Sequence, residues 1–338
     1  MVTSLDAALL TIKSLIFLAS ITGNLLVIFV VIRNRDMRTP FNYLLVNLAV
    51  ADIVYPCFLL PQFLVSLKIT SADEMPGNAI CMSLRMTAWT GASAGVFTMI
   101  IIAKERYYTV VHPHGDKGKL TTGALKVIIP CTWIFAVILT MRGFILQAFG
   151  KELAVRSCDH YWTNEKLKLA YQSISLTSVF IFLLLIVGLY SNDVYTLWFK
   201  PRGDNEVTNQ QGVLKVRKRV TLMVLICTAM FEISWITDII LHLTVKKTIS
   251  DGIFIAHTLM MFNSAVNPLV YALFSQRFRQ KMKEMLYRSS SLSRERIGLA
   301  KTALSTRVLN QLPTSAPVES LPASEKNLGE VLRSSEIS

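Results

Sequence analysis

Seven long apolar stretches, parted by polar connections, set the pattern of the chain: 11–32, 41–66, 79–108, 122–148, 168–199, 214–245 and 251–274. About 20 mostly apolar residues in a helix cross the hydrocarbon core of a bilayer. The pattern therefore predicts seven spanning helices. Several stretches exceed that minimum, which predicts tilt or projection beyond the bilayer; the seventh is the most interrupted by polar residues. After it, "SQRFRQKMKEMLYR" places Phe278, Met282 and Met285 or Leu286 on one face and basic residues on the others. That is the pattern of an interfacial amphipathic helix on anionic lipid. From 288 onward the chain is rich in Ser, Thr, Glu and Pro without helical periodicity and reads as disordered. The expected organisation is a short extracellular N-terminus (1–10), the bundle (11–274), the amphipathic helix (275–287) and a cytoplasmic tail (288–338).

Composition agrees with this all-α integral membrane fold class. Of 338 residues 52% are hydrophobic and only 17% charged, against about a quarter charged in a soluble domain. The net charge of +13 would suggest a nucleic-acid partner in a soluble protein. Here the cations sit between spans instead: Arg33, Arg35 and Arg38; Lys117 and Lys119; Lys200 to Arg219; and Arg277 to Arg288. By the positive-inside rule these segments face the cytoplasm and the N-terminus lies outside. No small-residue cleavage site follows Met1, so the first span reads as an uncleaved anchor. Five cysteines show no CxxC spacing: Cys57, Cys131 and Cys227 lie in apolar spans, Cys81 and Cys158 in polar connections.

Several polar groups sit where an apolar segment makes them costly. Glu105, Arg106 and Tyr107 end span three. Asp52 lies mid-span in "VNLAVADIVYP", with Asn24, Asn263 and Asn267 as candidate partners; the last two are four apart and share a helix face. In span six Phe231, Trp235, Asp238 and His242 form one stripe, and Glu232 lies off it.

These motifs in this order resemble the rhodopsin-like G-protein-coupled receptors. "GN" (Gly23, Asn24), "NLAVAD" (47–52), "ERY" (105–107), Trp133, Phe231 with Trp235, and "NPLVY" (267–271) carry the likeness, which covers about residues 10–287. The resemblance implies that Glu105 holds Arg106 at rest and that Arg106 faces a heterotrimeric G protein when the cytoplasmic ends open. Tyr107, Tyr190, Asn267, Pro268 and Tyr271 would share that activation role, and Phe231 and Trp235 would be the switch beneath the ligand. An arginine that merely snorkels to the interface is the plainer reading of Arg106. The resemblance makes the Asp52 cluster a sodium pocket, with Gly95 where the family often has Ser; no other cofactor is expected. Cys81 and Arg106 are 25 residues apart, about 37 Å of helix, so Cys81 reaches the outer end. There it can pair with Cys158, as the family's bridge does, or both remain free thiols. The family's usual prolines are replaced by Gly143, Phe182 and Thr237 in spans four to six, and the inner end of span six offers no acid to clamp Arg106. Higher basal signalling is the expectation.

For the ligand, Ala88 stands where monoamine receptors place an Asp, and Met261 where opsins place the Schiff-base Lys. The first ten or so residues are too few for a hormone-binding ectodomain. Gln62, Trp89, Asp238, His242 and His257 remain as the ligand set, with Arg85, Arg142 and Gln172 beside them. They suit a short neuropeptide with a cationic or amidated end; a small polar transmitter or a charged lipid also fits. Asp238 has a plainer reading too, as a carboxylate bonded to its neighbours. The serines of "YRSSSLSRER" suggest receptor kinases and arrestin as partners, or only a soluble tail. Three rivals differ in kind. A transporter would show repeats or broken helices, neither of which is visible. An enzyme would need a nucleophile–base or metal constellation, which the five histidines do not supply. The third is a receptor-like protein in the plasma membrane that couples poorly and acts through arrestin or as a dimer partner.

Overall fold

A computed structural model describes residues 4–68, 75–112, 118–149, 165–200, 204–244, 250–285 and 287. The chain divides into two units, 1–281 and 282–338. Of the second only 282–285 and 287 are described, all helical. Among the described residues the first holds seven long helices: α1 (Ser4–Arg33), α2 (Pro40–Lys68), α3 (Met75–Val111), α4 (Thr122–Phe149), α5 (Glu165–Val194), α6 (Asp204–Thr244) and α7 (Ser250–Phe274).

Six of these contain a segment long and apolar enough to cross a membrane, among the described residues: 10–33, 40–64, 82–111, 122–141, 172–199 and 211–241. α7 bears the buried polar residues Asn263, Ser264 and Asn267. Its place as seventh member rests on packing, since it closes the ring between α6 and α1. Helix ends overrun the apolar stretches. α1 begins at Ser4 and takes in most of 1–10, and α6 begins at Asp204, ten residues before 214. Hydrophobicity marks where hydrocarbon stops, whereas a helix satisfies its own backbone and continues into the polar zone.

Burial is inverted relative to a water-soluble bundle. Leu15, Leu18 and Phe29 of α1, Phe135 of α4, and Phe180 and Leu184 of α5 are more than half exposed. Asn24, Asp52, Thr98, Asp193 and Asn267 are buried. Lipid solvates the first group, so polar contacts and close packing hold the helices together. At Gly23, a Cβ would stand 3.0 Å from Pro268, where α1 meets α7. At Gly91 it would stand 2.9 Å from Val54 Cγ1 and 3.0 Å from the Tyr55 amide nitrogen, so α2 and α3 meet there only because the side chain is absent.

α3 contacts α2, α4, α5 and α6, and one polar hub fixes three of these helices. The Asn47 amide donates to Thr98 Oγ1 (2.8 Å) and its carbonyl accepts from Trp133 Nε1 (3.0 Å), joining α2, α3 and α4. Of the residues at the family's proline positions, Phe182 packs on Phe97, and Thr237 Oγ1 donates to the Ile233 carbonyl at 2.7 Å. That bond is the local route by which a threonine bends a helix.

α5 ends in a π-helical turn, Tyr195–Phe199, which buries Leu197. Lys218 of α6 lies over the Trp198 ring of this turn, 5.2 Å from its centroid. After α7 the chain breaks at Ser275 and is helical again from 276. The Ser275 hydroxyl accepts from the Phe278 amide (3.3 Å), an N-cap. Phe278 is buried, and Lys281 pairs with Asp36 at 3.3 Å. The amphipathic helix thus starts where the sequence pattern places it.

Candidate functional site

The expected site residues gather at three levels of the bundle. At one end, Arg106 of α3 is buried and bound to its neighbour Glu105. Its Nε donates to Glu105 Oε2 at 2.6 Å, and its Nη2 forms an ion pair with the same oxygen. Thr109 Oγ1 donates to the other carboxylate oxygen at 3.0 Å and so orients it. The guanidinium also lies over the ring of Phe41, 4.0 Å from its centroid, a cation–π contact. Tyr107 meets Tyr108 and His112 edge-on. Tyr190 and Tyr271 are both buried. One participant, Phe41, carried no sequence signal for this role, being an ordinary aromatic at a helix start. Asp193 is wholly buried in the last turn of α5, and neither of its carboxylate oxygens has a hydrogen-bond partner among the described residues.

At mid-depth, Asp52 accepts from Asn267 Nδ2 at 2.7 Å, and Ser264 lines the same cavity. The side chain of Asn24 does not reach that carboxylate. It donates to the backbone carbonyls of Ser264 and Ser20, both at 2.9 Å. Ser20 in turn donates to the Asp52 backbone carbonyl at 3.1 Å. Asn24 therefore ties α1 to α7, and α2 joins them through Ser20 and Asp52. Ser20 and Ser264 escaped the sequence reading because a serine in an apolar run is commonplace. A cavity of about 20 Å³ opens above, lined by Asp52, Gly95, Ser234, Trp235, Asn263 and Ser264 among others. It is large enough for one small occupant. A Cβ on Gly95 would meet Leu48 and Ala51 at ordinary distances of 3.8 and 3.9 Å.

The third level lies beyond Trp235. Phe231 and Trp235 are 5.8 Å apart between ring centroids. Trp89 of α3 meets Trp235, His257 and Tyr55 edge-on at 5.6, 5.9 and 6.2 Å. Asp238, buried one turn above Trp235, faces His257 of α7 with Oδ1 3.8 Å from Nε2. Gln62 is buried, and its Oε1 has no hydrogen-bond partner among the described residues. Four of the five residues of the expected ligand set are thus described, and three of them, Trp89, Asp238 and His257, converge. The side chain of His242 lies outside the described residues, as do those of Arg142, Cys81 and Cys158 and hence the expected bridge. Ala88 and Met261 are packed together in the floor of this level with Tyr55, Leu59 and Met260. Lys13 of α1, which the sequence reading passed over, is buried with its Nζ 4.4 Å from the Phe63 ring centroid. A lone lysine inside an apolar span was the signal that could have found it. Glu232 is buried on α6, with no bond or ion pair among the described residues.

The model of the 7 transmembrane receptor (rhodopsin family) matches residues 23–271. Neuropeptide FF receptor 1 of Rattus norvegicus is 30% identical over 291 residues, covering 79% of this chain and 67% of that one. The pyroglutamylated RF-amide peptide receptor of the same species is 29% identical over 292 residues, with the same coverage. The allatostatin-A receptor of Bombyx mori is 31% identical over 291 residues, 80% of this chain and 77% of that one. With the motifs on the helices where that family carries them and the match running through six of the seven helices and into α1, this chain belongs to the rhodopsin family of seven-transmembrane receptors.

Proposed function

We propose that this receptor binds a short peptide with a cationic, amidated end at the Trp89–Asp238–His257 level and activates a heterotrimeric G protein from the Arg106 end. The observation that carries the ligand reading is the buried Asp238 carboxylate beside His257, above a floor of Trp89 and Trp235. A carboxylate suits a guanidinium, which it can hold through two bonds, and the indoles suit a neighbouring aromatic side chain. The relatives named for neuropeptide FF and for RF-amide peptide point to the same class. The basic connections support a plasma-membrane orientation with the Arg106 end in the cytoplasm. There the tail serines would meet receptor kinases and arrestin, and the amphipathic helix would lie on anionic lipid.

The mid-depth cavity fits a sodium ion. Asp52, Ser264 and Asn263 present oxygen ligands of the kind a hard cation takes, and Asn263 Oδ1 has no hydrogen-bond partner among the described residues. Gly95 contributes no ligand, so these three would hold the ion. The experiment is binding of a fluorescent peptide ending in Arg-Phe-amide to the purified receptor in lipid nanodiscs. Saturable binding that Asp238→Asn weakens supports the reading. No binding, or binding indifferent to Asp238, removes it.

A further inference from the structure

The carboxylate at the ligand pole faces a group that can itself become a cation. Asp238 Oδ1 of α6 is 3.8 Å from His257 Nε2 of α7, and the two side chains are 8% and 13% exposed. Each helix fixes one partner. Asp238 lies one turn above Trp235, and His257 one turn above Met261 in the apolar floor. Trp89 meets His257 edge-on at 5.9 Å and Trp235 at 5.6 Å, so one indole braces both the imidazole and the ring beneath the carboxylate. Imidazole ordinarily titrates between about pH 5 and 8. As an imidazolium it forms an ion pair with the carboxylate; as a neutral ring it leaves that negative charge to an outside cation.

Other titratable or charged groups stand on the helices around this level. Lys13 of α1 is buried over Phe63, Tyr55 of α2 meets Trp89, and Arg85 of α3 is half-buried one turn beyond Trp89. Lys166 of α5 is exposed, and Glu232 of α6 is buried. His242 follows Asp238 by one turn of α6, its side chain outside the described residues.

We propose that His257 is a proton gate on Asp238: protonated, it occupies the carboxylate, and neutral, it yields Asp238 to the cationic group of the ligand. The inference rests on the ligand reading given above and adds its regulation by pH. A guanidinium and the proton on His257 compete for one negative charge. Peptide binding therefore releases the proton, and affinity rises with pH, by up to about tenfold per unit, until His257 is neutral in the free receptor. In that free receptor the ion pair contributes stability at low pH and loses it as His257 gives up its proton.

The test uses the full chain in nanodiscs. Its first arm needs no ligand: a double-mutant cycle of His257→Gln and Asp238→Asn on melting temperature, at about pH 5.5 and about pH 8.5, on either side of the imidazole range. Lys13, Arg85, Glu232 and His242 are present in all four proteins, so their separate effects cancel. A coupling of a few degrees at the lower pH and none at the higher is expected. Equal coupling at both, or none at either, overturns the proposal. If the Gln variant does not fold, His257→Asn takes its place. The second arm titrates the fluorescent Arg-Phe-amide peptide. Wild type should bind it at least about tenfold more tightly at the higher pH, and His257→Gln should lose that slope. Binding with no pH dependence, or a slope that survives His257→Gln, defeats this proposal alone. Low-pH coupling with no peptide bound at either pH supports the gate and defeats the ligand reading alone.

Discussion

Replacing Asn47 with alanine severs two interhelical bonds at once, the 2.8 Å bond to Thr98 and the 3.0 Å bond from Trp133. Thr98 keeps its bond to the Ala94 carbonyl, so it is not orphaned, whereas the Trp133 indole N–H loses its acceptor. Interhelical hydrogen bonds in membranes average about 0.6 kcal/mol and reach about 1.7. Two such bonds amount to about 1–3 kcal/mol. At roughly 2 °C per kcal/mol for a chain of this size, the melting temperature falls by about 2–6 °C. Thermal unfolding of the detergent-solubilised protein reads this. Trp133→Phe keeps the ring and loses one bond, so its loss should be about half as large. In the double variant the indole bond is already gone, and the two effects should not add. Full additivity, or an Asn47→Ala melting temperature equal to wild type, would refute the hub.

Gly91→Ala forces a Cβ against the Tyr55 backbone and should cost about 1–3 kcal/mol, while Gly95→Ala, with room around it, should melt within about 1 °C of wild type. Asp52→Asn should abolish any melting difference between sodium chloride and choline chloride; a sodium effect that survives it places the ion elsewhere. Asp238→Asn removes a charge-assisted contact of about 1.5–3 kcal/mol and should weaken binding of an Arg-Phe-amide peptide by about 10–150-fold. Titration of the fluorescent peptide checks this, and unchanged affinity sinks the proposed ligand pole.

The parts that could be read from the sequence are those where chemistry conflicts with its surroundings. An arginine at the end of "MIIIAKERYY" and an aspartate in "VNLAVADIVYP" stand out against apolar neighbours, and the structure seats Arg106 on Glu105 and Asp52 against Asn267. Asn267 meets Asp52 because α7 turns its side chain toward α2. Asn24 was harder: its motif marked it, but only packing shows that it bonds backbone carbonyls rather than the carboxylate. Ser20, Ser264 and Phe41 belong to types common in any span, so their roles come from which helix faces which. Asp193 escaped for another reason. The residue was visible, but it lies on α5, and nothing in a linear sequence announces which side of that helix turns inward.

The central claim is that this receptor activates a G protein through Arg106 when a peptide occupies the Asp238 level. Nucleotide exchange on purified heterotrimeric G proteins, with the receptor in nanodiscs and an Arg-Phe-amide peptide at saturation, tests it most directly. The account predicts peptide-dependent exchange that Arg106→Ala lowers at least about tenfold while peptide binding is retained. Equal exchange by both proteins, or bound peptide with no exchange on any G-protein class, would contradict it.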